Sequence, residues 1–131
     1  MTRETPSILI VDDEPFIVLG LKTFLEDEGM LVTGAGSGEE ALDRVRAGGR
    51  FDVCILDQRL PGINGDVTLR ALHGLCPDLR FIIHTGDVGY AIPNDFHTMG
   101  IGPVFLFKKP LLDMQPMARA VRTLVLHQEV Q

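Results

Sequence analysis

Short apolar runs and helix-period segments alternate along this chain from one end to the other, and that alternation limits its fold more than composition does. Ser7 to Val11 reads as a strand that runs into Asp12-Asp13-Glu14-Pro15. Pro15 suits a first helical turn, where its missing N–H is not needed. Ile17, Leu21, Phe24 and Leu25 then recur at i, i+4, i+7 and i+8, the apolar face of a helix ending at Gly29. A short strand is expected at Leu31 to Thr33. Ser37 and Glu40 form a capping box ahead of Ala41, Leu42 and Val45, and this helix stops at Gly48-Gly49.

Phe51 to Leu56 reads as a third strand that delivers Asp57 at its end. After the loop Gln58 to Ile63, a helix starts near Asn64 with Val67, Ala71, Leu72 and Leu75 inward. Phe81 to His84 is the fourth strand and ends at Thr85-Gly86-Asp87. Gly89 and Pro93 interrupt any helix over residues 88–99. Val104 to Phe107 is the fifth strand, ending at Lys108-Lys109-Pro110. Asp113 can cap a last helix whose inward face is Met117, Ala120, Val121, Leu124 and Val125.

Near-continuously apolar strands alternating with helices predict an α/β fold, a five-stranded parallel sheet with helices on both faces. In such sheets ligands collect outside the strand C-termini, where the strand order reverses. A chain of 131 residues suits one domain over 1–131, with its core at about 7–126. It can bury that core without metal or disulfide staples.

The net charge of −6 argues against nucleic acid, whose binders carry a basic stripe, and against an anionic membrane surface. No run is long and apolar enough to span a bilayer, and residues 1–6 lack the features of a signal peptide. Cys54 and Cys76 have no Cys-x-x-Cys partner and read as incidental thiols in a reducing cytoplasm. His73, His84, His97 and His127 show no metal-ligand spacing and read as core or surface residues. Gly34 to Glu39 lacks the third glycine of a dinucleotide loop, so a turn plus helix cap is expected there. Glu26-Asp27-Glu28 reads as a solvated helix end.

The strand ends carry the chemistry. Asp12 and Asp13, Asp57, Thr85 and Lys109 converge on one edge. Two like charges about 4 Å apart cost on the order of 4 kcal/mol at an effective dielectric of about 20, so such a cluster survives by protonation, by a paired cation or by a divalent metal. Oxygen-only ligands on short loops suit magnesium. One carboxylate could then attack a phosphoryl group, with Thr85 and the lysine contacting its oxygens.

With those segments placed, the sequence resembles the response-regulator receiver domain of two-component signalling over about residues 7–126. The resemblance rests on Ile8 to Glu14, Leu56 to Gly65, Ile83 to Gly86 and Lys109-Pro110, in that order at four strand ends. It implies a flavodoxin-like sheet of order 2-1-3-4-5. It also implies Asp57 as phosphoacceptor. Asp13, Asp57 and the backbone carbonyl of Arg59 would bind Mg2+, and Asp12 would act through metal-bound water. Thr85 would hydrogen-bond the phosphoryl group and Lys109 would pair with it. The implied partners are a histidine kinase or histidine phosphotransfer protein and a downstream protein target. Such a protein catalyses its own phosphoryl transfer and dephosphorylation without being a turnover enzyme.

Three departures stand out. The usual aromatic switch position, three before the lysine, holds Leu106, flanked by Phe105 and Phe107. Choosing Lys108 would restore an aromatic there, but Lys109 directly precedes Pro110 as the motif requires and is favoured. Residues 88–99 are poor in helix formers, and a switch element is expected within 86–99. Arg59 and Asp87 occupy two variable positions at the pocket edge. The competing class is a magnesium-dependent phosphatase or phosphotransferase for small molecules, but the chain lacks its Asp-x-Asp motif and the length for a substrate cap. The chain would be either a stand-alone receiver or part of a longer protein.

Overall fold

Five parallel strands form one sheet in the order β2-β1-β3-β4-β5. They are β1 (Ser7–Val11), β2 (Leu31–Ala35), β3 (Val53–Leu56), β4 (Arg80–Thr85) and β5 (Leu106–Lys108). The helices between and after them are α1 (Pro15–Asp27), α2 (Gly38–Arg46), α3 (Gly65–Leu75), α4 (Asn94–Thr98) and α5 (Gln115–Glu129). This computed structural model describes residues 5–129, with side chains as far as Leu126, so His127 lies outside the described side chains. Among the described residues no helix is long and apolar enough to cross a membrane.

The strands are apolar on both faces because both faces are covered. Ile8, Ile10, Val53, Ile55 and Ile82 pack with Leu21, Leu25, Met117 and Val121 of α1 and α5. Leu9, Val11, Cys54, Leu56, Phe81 and Ile83 face the other way, toward Leu42 of α2, Leu69 and Leu72 of α3 and Phe96 of α4. Each fully buried large side chain contributes roughly 1.5–3 kcal/mol, so the two layers fix the strand phases and hence what each strand end presents.

Helix starts follow the sequence closely. Pro15 opens α1 after Glu14. Ser37 Oγ accepts the Glu40 N–H at 3.1 Å, while Glu40 Oε1 accepts the Gly36 N–H at 3.0 Å, one residue earlier than a standard box. Asn64 caps α3 by accepting the Val67 N–H at 2.9 Å, and Asp113 accepts the Gln115 N–H at 3.0 Å.

Several expectations need correction. The inward face of α3 is Thr68, Leu69 and Leu72, whereas Val67 and Leu75 are exposed. Thr68 tolerates burial because its hydroxyl donates to the Asn64 carbonyl at 2.8 Å. A Cβ on Gly38 would collide with Thr68 Oγ1, so the α2 backbone sits directly against that side chain of α3. β2 runs two residues further than expected, with Val11 opposite Ala35. β3 starts later, at Val53, because Asp52 turns its carboxylate back to accept the Ser7 N–H at 2.8 Å. Pro103–Phe105 forms a 3-10 turn, which delays β5 to Leu106 and leaves Val104 exposed. At the end of α1 Glu26 and Asp27 are exposed as expected, while the half-buried Glu28 carboxylate accepts from Arg122 of α5 at 2.8 Å.

Candidate functional site

Strand alternation decides which side chains meet at the C-terminal edge. Asp12 follows Ile8 and Ile10 on the α1/α5 face, Asp57 follows Val53 and Ile55, and His84 follows Ile82. The pairings Val11–Leu56 and Leu56–Ile83 put Asp12, Asp57 and His84 at one level on three neighbouring strands. Thr85 stands one residue further along. The Lys109 N–H donates to the Thr85 carbonyl at 2.9 Å, and its side chain reaches back across the row.

Lys109 Nζ lies 2.8 Å from Asp12 Oδ2, 2.9 Å from Asp57 Oδ2 and 2.6 Å from Glu14 Oε2. All three donors of the ammonium are therefore used. Lys108 points to the opposite face and donates to the backbone carbonyls of Asp87 and Val88 at 3.1 and 3.4 Å. Alternation thus makes Lys109 the lysine of the cluster.

Asp12 and Asp57 are buried and Asp13 is exposed. Each offers a carboxylate oxygen within 4.8 Å of the others, a spacing one cation can bridge. The donor set is all oxygen, which fits a hard divalent ion such as magnesium. Their second oxygens are partly committed: Asp12 Oδ1 accepts the Glu14 N–H and Asp57 Oδ1 accepts the Arg59 N–H, both at 3.0 Å. Those bonds fix the carboxylate planes. A Cβ on Gly65 would meet the Asp57 carbonyl and sit 2.6 Å from Gln58 Cα, so α3 starts directly against the acceptor loop.

The electrostatics reflect excess negative charge in a half-dry site. Burial raises the Asp12 carboxyl above its ordinary range, and the Lys109 hydrogen bond offsets only part of that rise. Burial alone would lower the Lys109 ammonium; bonds to Asp12, Glu14 and Asp57 outweigh it and hold the group charged. Glu14 is held low, first by its Lys109 hydrogen bond. His84 is pushed down to about 4 by burial and then by the Lys109 charge, so its ring is neutral at pH 7.

Asp12, Asp13, Asp57 and Lys109 come together as expected. Thr85 is fully buried at the same edge, and its Oγ1 accepts the Asp87 N–H at 3.1 Å. The Arg59 guanidinium leaves the cluster and lies 3.3 Å from Asp87 Oδ1 at the rim. Two members escaped sequence reasoning. Glu14 looked like motif filler, although its place just before the helix turns its side chain back toward the lysine. His84 looked like an ordinary core residue, although extending the Ile82 alternation by two places it beside Asp57. Neither of its ring nitrogens has a hydrogen-bond partner among the described residues.

A profile described as the response regulator receiver domain matches residues 8–120. The transcriptional activator protein ExaE of Pseudomonas putida is 47% identical over 77 residues, covering 57% of this chain and 36% of that protein. Other relatives are sensor kinases and transcriptional regulators. The chain spans 9 to 50% of the length of the first four curated relatives it matches. A CheY-like receiver domain protein from Methanospirillum hungatei superposes with a TM-score of 0.81 at 28% identity, over 95% of this chain and 97% of that one. A response regulator from Thermotoga maritima, solved in complex with Mg2+–BeF, gives 0.76 at 29% identity, over 92% and 99% of the two chains.

Proposed function

This chain belongs to the response regulator receiver domain family, and from that membership we propose that it accepts a phosphoryl group on Asp57 from a histidine kinase or histidine phosphotransfer protein. The observation that carries the reading is the Lys109 ammonium bonded to both Asp12 and Asp57 beside Asp13. An Asp57 carboxylate oxygen attacks phosphorus, the donor's P–N bond breaks, and the imidazole leaves with its electron pair and takes a proton. The Arg59 N–H holds one Asp57 oxygen in place for that attack. Thr85 donates its hydroxyl hydrogen to a phosphoryl oxygen, and Lys109 balances the added charge.

Asp12, Asp13, Asp57 and the Arg59 backbone carbonyl would hold Mg2+, directly or through water. Bound there, the ion would neutralise carboxylate charge and draw electrons from the phosphoryl oxygens. Hydrolysis later returns Asp57 by adding water and releasing phosphate, so the chain is a switch that catalyses its own changes of state. We place it in the cytoplasm as one receiver domain over 1–131. It acts on a downstream protein target, without direct binding to nucleic acid or membrane.

Acetyl phosphate with magnesium should add one phosphoryl group by mass spectrometry, and Asp57→Asn should lose it. Labelling of another strand-end acid in that variant, or continuous turnover of a small phosphate ester, defeats the reading.

A further inference from the structure

Asp87 ties several parts of the edge together. Its N–H donates to Thr85 Oγ1 at 3.1 Å, and its carboxylate accepts the Gly89 N–H at 3.0 Å and faces Arg59 at 3.3 Å. Its carbonyl accepts the Tyr90 N–H at 3.2 Å and a Lys108 ammonium hydrogen at 3.1 Å. Residues 87–90 are thus a closed turn, stapled by both side chain and backbone, that moves as a unit. At its far end the Tyr90 phenol donates to Asp66 Oδ1 of α3 at 2.8 Å. That helix is anchored in the core by buried Leu69 and Leu72. Leu106 packs into the same cluster as Tyr90 but has neither ring nor hydroxyl.

Resting on the phosphoacceptor reading, we propose that Tyr90 reports the state of Asp57: Asp87 carries the displacement of Thr85 to the 87–90 turn, and the Tyr90–Asp66 bond is the contact that opens. A hydroxyl has one hydrogen to give and two lone pairs, so Thr85 can bind a phosphoryl oxygen while still accepting from Asp87. Its movement toward Asp57 draws the turn with it. The added negative charge also competes with Asp87 for Arg59. Because α3 stays in place, a displacement of about 1 Å takes the phenol out of hydrogen-bond range.

The chain has one tyrosine and no tryptophan, so tyrosine emission from the intact protein reads Tyr90 alone. A carboxylate acceptor quenches phenol emission. Phosphorylation by acetyl phosphate with magnesium, its extent followed by mass spectrometry, should therefore raise the emission of the native chain. Asp66→Ala should start at the raised level and not respond. Thr85→Val, which removes the hydroxyl that the Asp87 N–H bonds, should lose the response when normalised to its phosphorylated fraction. Emission that stays constant while Asp57 of the native chain is labelled overturns the relay and leaves the phosphoacceptor reading standing, as does a full response in Thr85→Val. No label on Asp57 removes both.

Discussion

Asp12 and His84 sit at one level of the sheet and answer to pH in opposite senses. His84 binds protons more weakly when folded, at about 4 against 6.5. Between those values the unfolded chain holds more protons, so stability is lost as pH falls from 6.5 toward 4, by on the order of 3 kcal/mol for this group. Denaturant titrations at pH 7 and pH 5 should show His84→Leu losing less stability on acidification than the native chain; equal losses would mean the ring is not buried neutral. Asp12 is raised by burial, so its ionised form is a cost to the fold at neutral pH. Asp12→Asn should therefore raise the magnesium-free melting temperature, by roughly 2–8 °C for about 1 kcal/mol in a domain of this size, while weakening any magnesium response. A lower melting temperature would mean that the Lys109 pair outweighs desolvation.

Element identities were legible where one periodicity dominated, as in α5, whose predicted inward residues are all buried. The α3 face was misjudged because apolar period alone discounts threonine, and only the back-bond to Asn64 makes Thr68 a core residue. A switch element is expected within the 86–99 stretch because its glycines and Pro93 weaken regular helix. Its later part is pinned: Phe96 is fully buried, and Arg70 of α3 makes bonds of 2.8 and 3.0 Å to Asp95 while its guanidinium lies 5.0 Å from the Phe96 ring centre. Lysine cannot supply both the fork and the planar stack. Arg70→Lys should thus speed hydrogen exchange at residues 96–101 more than in β1 or β3, and uniform protection would show that α4 is held by Phe96 alone. Gly65→Ala tests the other end of α3. Its methyl group has nowhere to go against Asp57 and Gln58, so a loss of about 1–3 kcal/mol is expected from overpacking. Unchanged denaturation would mean that the acceptor loop yields freely.

For the molecule as a whole, alternation and right-handed crossovers pointed to the parallel sheet and the edge that gathers the acids, while the strand order followed only from the receiver-domain resemblance. What stayed hidden were contacts between elements distant in sequence, such as Tyr90 with Asp66, because neither residue carries a local pattern that names its partner. The cluster also makes a prediction for the entire fold. A cation held only by the native arrangement stabilises it as the logarithm of concentration, by about 2.7 kcal/mol at a hundredfold excess over Kd. Magnesium should raise the melting temperature of the native chain more than sodium at equal ionic strength, and Asp13→Asn should remove the difference. A response retained in that variant would move the cation elsewhere.

Lys108 at the end of β5 and Lys109 just beyond it make the strand's charge pattern almost blind to its own alignment. Sliding it by one residue would offer an ammonium to the acids either way, so electrostatics cannot choose the frame. The choice falls to bulk: Phe105 and Phe107 fill the α1/α5 layer while Leu106 fills the other. Two phenyl rings, which take no part in the chemistry, act as the spacing marks that decide which lysine is read.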